Sequence, residues 1–293
     1  MARHRIRALR DSYILNPGRG PAFGSPPAGG GGSYLTLPYT YNLSSRSESS
    51  GAQLDSVPGW VDGGDAWGAG SGLALGTSNL ADSNSFTPTG VTKVATASGG
   101  QNFSFDFTLP NSKTIDPTLD GLRIACLARR YSPGIDYRAV RFNLYDQTKA
   151  SYDLNGDLRE AYIGQDIITD TTPDQLRQYV RYNDGSVKTW SPGYTQTGTN
   201  TKNRWWWTRH EINFRTNKGT VSNILCQTDA TMNTLQETFE TDLQNYGHVP
   251  PGMFLCYFYA FSTHYPFFAG FWIGTLDDAW PTTTLGSTTE DYG

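Results

Sequence analysis

Residues 101–109 constrain the fold more than any other stretch of the chain. Phe103, Phe105, Phe107 and Leu109 alternate with Asn102, Ser104, Asp106 and Thr108. This strict period of two gives one apolar and one wet face only in an extended strand. Weaker versions of the signature recur downstream. Leu122–Tyr131 and Tyr137–Tyr145 flank Ser132-Pro133-Gly134. Asn155-Gly156 separates Ser151–Leu154 from Asp157–Arg159, and Asp184-Gly185 separates Tyr179–Tyr182 from Val187–Trp190. Both dipeptides tolerate the positive φ angles that two-residue hairpins need. Arg204–Arg215 and Thr220–Gln227 form a third pair around Lys218-Gly219. Met253–Phe261 and Phe267–Leu276 are apolar on both faces, as in the middle of a sandwich or at a subunit contact. Only Met232–Tyr246 reads as a helix: Leu235, Phe239, Leu243 and Tyr246 share one stripe, and Gly247 with Pro250-Pro251 stops it.

About a dozen strands, with turn residues every ~8–12 positions, predict an all-β chain. The expected architecture is an antiparallel β-sandwich (jelly-roll) with one short helix and an extended N-terminal arm. Composition narrows the alternatives. Charged residues make up 17% of the 293 residues, against about 25% in an average protein. That excludes a charge-driven disordered chain, a coiled coil and a generally basic nucleic-acid binder. The sequence holds no apolar run of the ~18 residues that a membrane-spanning helix needs, so no membrane insertion is expected.

Three segments follow from the punctuation: an arm at 1–33, the jelly-roll at 34–280 and a Thr/Ser-rich C-terminal tail at 281–293. The arm carries Arg3, Arg5, Arg7, Arg10 and Arg19 against Asp11 alone, then Pro17–Pro21, Ser25–Ala28 and the glycines Gly29–Gly32. Such a stretch buries no core and acts as a spacer. The chain as a whole is −4, so this basic arm sits on an acidic body. Arginine forks suit carboxylates and carbonyls at a protein contact, which makes these five arginines the expected partner-binding residues. Cys126, Cys226 and Cys256 each lie in an apolar run and read as free buried thiols rather than a disulfide framework. No secretion signal is expected either, since Ile6, Leu9, Ile14 and Leu15 never join into one apolar stretch.

The search for chemistry yields no catalytic set. His210-Glu211-Ile212-Asn213-Phe214-Arg215 has a likeness to the Glu-x-Asp-x-Glu strand of laminarinase-type enzymes, but Asn213 and Arg215 stand where the second and third acids belong. Asp153-x-Asn155-x-Asp157 begins like a calcium loop, yet Leu158 and Gly164 occupy the positions that need Gly and Glu. Asp277-Asp278 reads as a pair of solvated turn acids, and the four histidines share no ligand spacing. Neither metal nor cofactor is expected. The aromatics are more informative. Trp205-Trp206-Trp207 sets indoles on both faces of a strand. Trp190, Trp205 and Trp207 are therefore candidates for glycan stacking or a subunit interface, weighed against plain core packing.

The Asn-Phe-Ser-Phe-Asp-Phe strand and the closing Phe271-Trp272-Ile273-Gly274-Thr275-Leu276-Asp277-Asp278 resemble a concanavalin A-like, laminin-G-like jelly-roll over roughly residues 60–280. The arginine-rich arm, Gly/Pro spacer and acidic β body are similar in style to structural proteins of tailed-phage particles. That resemblance implies a virion structural protein: a capsid decoration or cement protein, a head fibre or a tail component. It would be assembled in the host cytoplasm, dock to other virion proteins through residues 1–33 and form a homo-oligomer. The alternative is a glycan-binding module that recognises a host-surface glycan. A polysaccharide-degrading enzyme rests on fold analogy alone. No site residue is carried over from either resemblance.

Overall fold

The structure, a computed structural model, describes residues 34–62, 73–97, 102–113, 115–116, 118–131, 141–144, 162–168, 174–181, 187–190, 195–196, 204–213, 218–226, 238–242, 253–259, 265–282 and 284–292. The chain divides into Met1–Gly32 and Ser33–Gly293. The expected arm, with Arg3, Arg5, Arg7, Arg10 and Arg19, lies outside the described residues.

Sixteen strands are described: β1 Tyr39–Asn42, β2 Trp60–Asp62, β3 Leu73–Gly76, β4 Val94–Ala97, β5 Asn102–Thr108, β6 Gly121–Tyr131, β7 Arg141–Leu144, β8 Tyr162–Ile168, β9 Asp174–Arg181, β10 Val187–Trp190, β11 Thr195–Gln196, β12 Trp205–Asn213, β13 Lys218–Leu225, β14 Thr238–Asp242, β15 Met253–Tyr259 and β16 Tyr265–Gly274. They form two eight-stranded antiparallel sheets. The first runs β14-β13-β12-β6-β16-β4-β3 with β1 also paired to β16; the second runs β10-β9-β8-β7-β15-β5-β2 with β11 on β9. The all-β sandwich expected from the alternating segments is therefore the fold.

Two local expectations are corrected. Residues 238–242 of the expected helix are strand β14, with Phe239 opposite Val221 of β13. Pairing to a neighbouring strand overrides the helical spacing of the apolar residues, and Thr238 and Thr241 favour extended backbone through their branched Cβ. Among the described residues the only helices are 3₁₀ turns, at Leu43–Ser45, Leu54–Ser56 and Pro110–Ser112. Lys218-Gly219 does not make a turn but opens β13, with Lys218 opposite Asn213. The expected Asn155-Gly156 hairpin lies outside the described residues, whereas β9 and β10 pair antiparallel across the Asp184-Gly185 region as the dipeptide predicted.

The core between the sheets is aromatic. Trp60 and Phe107 of the second sheet meet Tyr41, Phe268 and Phe271 of the first, with Phe107 4.7 Å from both Tyr41 and Phe271 and Trp60 5.5 Å from Phe268, mostly edge to face. Each such ring removes roughly 150–250 Å² from water, about 4–6 kcal/mol of gross burial energy. Leu122, Ile124, Cys126 and Ala128, the even residues of β6, complete this layer. Ala125 and Leu127 face the other way, into a second cluster with Trp205, Trp207, Phe267, Ala269 and Trp272. The first sheet is thus buried on both faces: inward by the second sheet, outward by residues 77–92 and 275–285.

β16 reaches both layers through a bulge. Phe268 pairs with Ala128 and Gly270 with Leu127, so Ala269 is the inserted residue. An extra residue reverses which parity points inward. The same point divides the far edge of β16. Phe267 and Phe268 pair with β4, whereas Gly270–Ile273 pair with β1. Gly270 has φ +151°, and a Cβ there would lie 2.0 Å from the Tyr41 carbonyl oxygen. Only glycine lets the two backbones approach this closely.

Residues 284–292 lie along the outer edge of β1. Thr289 N–H donates to Thr40 O at 3.0 Å, and Thr40 N–H to Thr289 Oγ1 at 2.9 Å. Asn42 N–H donates to Thr288 Oγ1 at 3.0 Å. Threonine hydroxyls here satisfy strand N–H groups that a neighbouring backbone would otherwise take. Lys113 pairs with Glu290 at 2.7 Å, and Tyr292 donates to Thr108 O, so the segment is fastened to both sheets.

Candidate functional site

One end of the outer face of the first sheet gathers polar side chains around an incompletely buried indole. Arg123 of β6 stands opposite Glu211 of β12, and Arg209 lies two residues back on the same face. Arg123 Nε donates to Glu211 Oε2 at 2.7 Å, and its Nη1 to the Asp278 carbonyl at 2.7 Å. Arg209 Nη2 donates to the Pro281 carbonyl at 2.6 Å. Between these two anchored carbonyls lies Trp280, half-buried, with the Arg123 and Arg209 guanidinium carbons 5.4 and 5.1 Å from its ring centre. Trp272 abuts it, with ring centres 5.8 Å apart.

The turn that carries Trp280 is fixed locally. The Asp278 carboxylate accepts from Thr275 N–H at 2.7 Å and from Thr275 Oγ1 at 2.8 Å. Gly274 is required here because a Cβ would lie 2.3 Å from the Trp272 ring. The platform is therefore set by backbone contacts before any ligand arrives. Its polar members are forked donors and one ion-paired carboxylate; its apolar member is an indole. Such a set fits a ligand with both a C–H face and hydroxyl or anionic groups.

Deeper under the same face is a charged cluster that anchors the loop above it. Arg129 lies 4.0 Å from the Phe267 ring centre and 5.4 Å from that of Trp205, and donates to the Asn79 and Ala81 carbonyls. Burial pushes its guanidinium down to about 10, against the pull of Asp82. Asp82 Oδ2 lies 3.5 Å from Arg204 Nε, while Oδ1 accepts from Asn84 N–H at 2.8 Å and Phe86 N–H at 3.1 Å. These groups hold the 77–92 loop on the sheet. They are buried and face no solvent, which makes their role structural.

The residues singled out in the sequence distribute as follows. Trp205 and Trp207 are 0% and 1% exposed and belong to the second cluster, so neither offers a ring to a glycan or a partner surface; Trp205 Nε1 is spent on Leu80 O at 2.9 Å. An indole flanked by Leu127, Phe267 and a loop gains more from burial than from exposure. Trp190 ends β10, opposite Gln178 of β9, at the edge of the second sheet. Glu211 is the counter-ion of Arg123, at 2.7 Å. Burial holds His210 neutral, pushing its pKa down to about 3. Asp278 is committed to its turn and Asp277 is exposed. Asp153, Asn155, Asp157, Arg215, His4, His248 and His264 lie outside the described residues. No group of three metal-ligating side chains occurs among the described residues. No described helix is long and apolar enough to cross a membrane.

Sequence reasoning missed Trp280 and its two arginines. A signal existed: an indole two residues after the turn acids Asp277-Asp278 and directly before Pro281, where a hydrophobic side chain has no strand to pack on.

No protein-family model matches the chain, and no curated protein matches it in sequence. Among solved structures it is similar to the CBM2 module of the evolved Dit of Lactobacillus casei BL23 phage J-1, at 12% identity, 83% of this chain, 98% of that one and a TM-score of 0.46. It is also similar to a legume lectin-like domain from Entamoeba histolytica, at 8% identity, 62% and 84% coverage and a TM-score of 0.44. A third is arcelin-5, a lectin-like defense protein from Phaseolus vulgaris, at 9% identity, 81% and 98% coverage and a TM-score of 0.44. These are likenesses of strand layout, and no site residue is transferred from them.

Proposed function

We propose that the sandwich is a non-catalytic carbohydrate-binding module whose ligand stacks on Trp280. The observation that carries this reading is the half-buried indole clamped over Arg123 and Arg209, with Glu211 beside them. A pyranose ring has one apolar C–H face and a rim of hydroxyls, and the platform supplies an aromatic surface with charged hydrogen-bonding groups at its edge. Glu211 is neutralised by Arg123 and Asp278 is tied to its turn, an arrangement that suits holding a sugar better than protonating a glycosidic oxygen. The lectin-like proteins and the CBM2 module above agree with this reading but do not carry it.

The test is a glycan array and affinity electrophoresis with the wild-type chain and Trp280→Ala. The expected result is binding that Trp280→Ala weakens at least tenfold, about 1.4 kcal/mol, measured well below the lower melting temperature that loss of its contacts with Trp272 and the two arginines brings. Binding unchanged by the substitution, or no glycan bound by the wild type, overturns the proposal.

A second reading concerns where the module sits. The division of the chain at Gly32 and the five arginines before it favour a particle component tethered by its arm to other virion proteins. Deleting residues 2–33 is expected to abolish incorporation into particles. Normal incorporation refutes the tether.

A further inference from the structure

We infer that Arg209 is an anion-recognition point that directs the Trp280 platform toward carboxylate- or sulfate-bearing glycans. The carbohydrate part of this inference rests on the function proposed above; the anion point does not. Three arginines of the described sandwich are paired with acids. Arg46 pairs with Glu48 at 3.1 Å and with Asp291, Arg123 with Glu211 at 2.7 Å, and Arg204 with Asp82 at 3.5 Å. Arg129 is fully interior and draws on Asp82.

Arg209 differs. Its protein contacts are the Pro281 carbonyl and the face of Trp280. Among the described residues it has no carboxylate partner, and its buried Nε–H has no acceptor. A desolvated cation with an orphaned donor is costly, on the order of 1–3 kcal/mol for the missing hydrogen bond alone. Burial accordingly pushes its pKa down, with only Cys226 opposing the shift. The buried Nε–H is out of reach of an outside ligand, but an anion at the accessible edge of the half-buried guanidinium compensates its desolvated charge, and partial desolvation strengthens that attraction.

Two acids bound the preference. Glu211 is already paired with Arg123. Asp277, exposed on the same turn as Trp280, is a like charge for any incoming anion. The anion is therefore held by Arg209 itself and not by a general positive field, and Asp277→Asn should tighten acidic ligands.

The experiment pairs acidic polymers with neutral counterparts: polygalacturonate against its carboxyl-reduced form, and dextran sulfate against dextran. Binding is read by affinity electrophoresis at 150 mM salt, with wild type, Arg209→Gln, Arg209→Lys and Asp277→Asn, each checked by its melting curve. A third arm measures the melting temperature in sodium sulfate against sodium chloride at equal ionic strength. The expected result is at least tenfold preference for an acidic polymer, lost in Arg209→Gln, partly kept in Arg209→Lys and raised several-fold in Asp277→Asn. The polymer preferred identifies the anion as carboxylate or sulfate. Equal binding of acidic and neutral polymers, unaltered in Arg209→Gln, overturns the inference and leaves the carbohydrate module standing. If no polymer binds, sulfate stabilisation that Arg209→Gln removes keeps the anion point and overturns its carbohydrate part, while the glycan array decides the module separately. Absence of both effects refutes the inference.

Discussion

Replacing Gly270 with alanine tests the close approach of β16 to the backbone of β1. The new Cβ would lie 2.0 Å from the Tyr41 carbonyl oxygen, 3.0 Å from Leu285 Cδ1 and 3.1 Å from Asn42 Cα, at φ +151°. Two costs combine. An L side chain in this region of φ costs about 1–3 kcal/mol. Relieving an overlap with backbone, which cannot rotate away, adds about 1–3 kcal/mol, because β1 must retreat from β16. Together they predict a loss of about 4 kcal/mol, and at ~2–4 °C per kcal/mol for a domain of this size the melting temperature falls by roughly 12 °C. Gly51→Ala is the matched control. Gly51 has φ +94° but nothing within 4 Å of a Cβ, so it carries the φ cost without the overlap, about 1–3 kcal/mol. Calorimetry and urea midpoints on both variants separate the terms. If Gly270→Ala melts within about 3 °C of Gly51→Ala, β1 does not sit against β16 as described.

Trp205→Ala should destabilise the chain by about 3–5 kcal/mol through cavity formation and leave glycan binding intact when measured well below its melt; selective loss of binding would contradict its burial. Asp82→Asn keeps an oxygen for the Asn84 and Phe86 N–H groups while removing a negative charge beside the buried Arg204 and Arg129, so a loss of about 1–3 kcal/mol in urea unfolding is expected; no measurable loss would show that the charge is immaterial. His210 has a folded-state pKa near 3 below its unfolded value of about 6.5. The unfolded chain therefore takes up a proton that the native one refuses, and stability falls as pH drops from 6.5 toward 3, by roughly 2–3 kcal/mol at pH 4.5. His210→Gln should flatten that part of the pH–stability curve, and a curve parallel to wild type would refute the assignment.

What the sequence disclosed depended on whether one periodicity held to the end of each element. β5 was legible because its phenylalanines keep a single parity. β16 was legible as an apolar strand, but its two buried faces were ambiguous between a sandwich centre and a subunit contact. Ala269 shifts the parity within the strand, and the outer cover comes from a largely polar loop contributing Leu80, Phe86 and Val91. β14 was misread because Leu235, Phe239 and Leu243 fit a helical stripe, and only pairing with β13 decides otherwise. The triple tryptophan announced aromatic mass without announcing depth: Trp205 and Trp207 carry more area than a surface strand needs. Trp280 was overlooked because its significance lies in Arg123 and Arg209, which are 157 and 71 residues away along the chain.

The strand order of the first sheet also sets a timetable for synthesis. β16, residues 265–274, sits between β6 on one side and β4 and β1 on the other. Those partners emerge from the ribosome long before it does, and until it arrives their hydrogen-bonding edges stay open. Such high contact order slows folding and leaves nascent chains able to join edge to edge. The position of a single strand thus decides how long those edges stay exposed during translation.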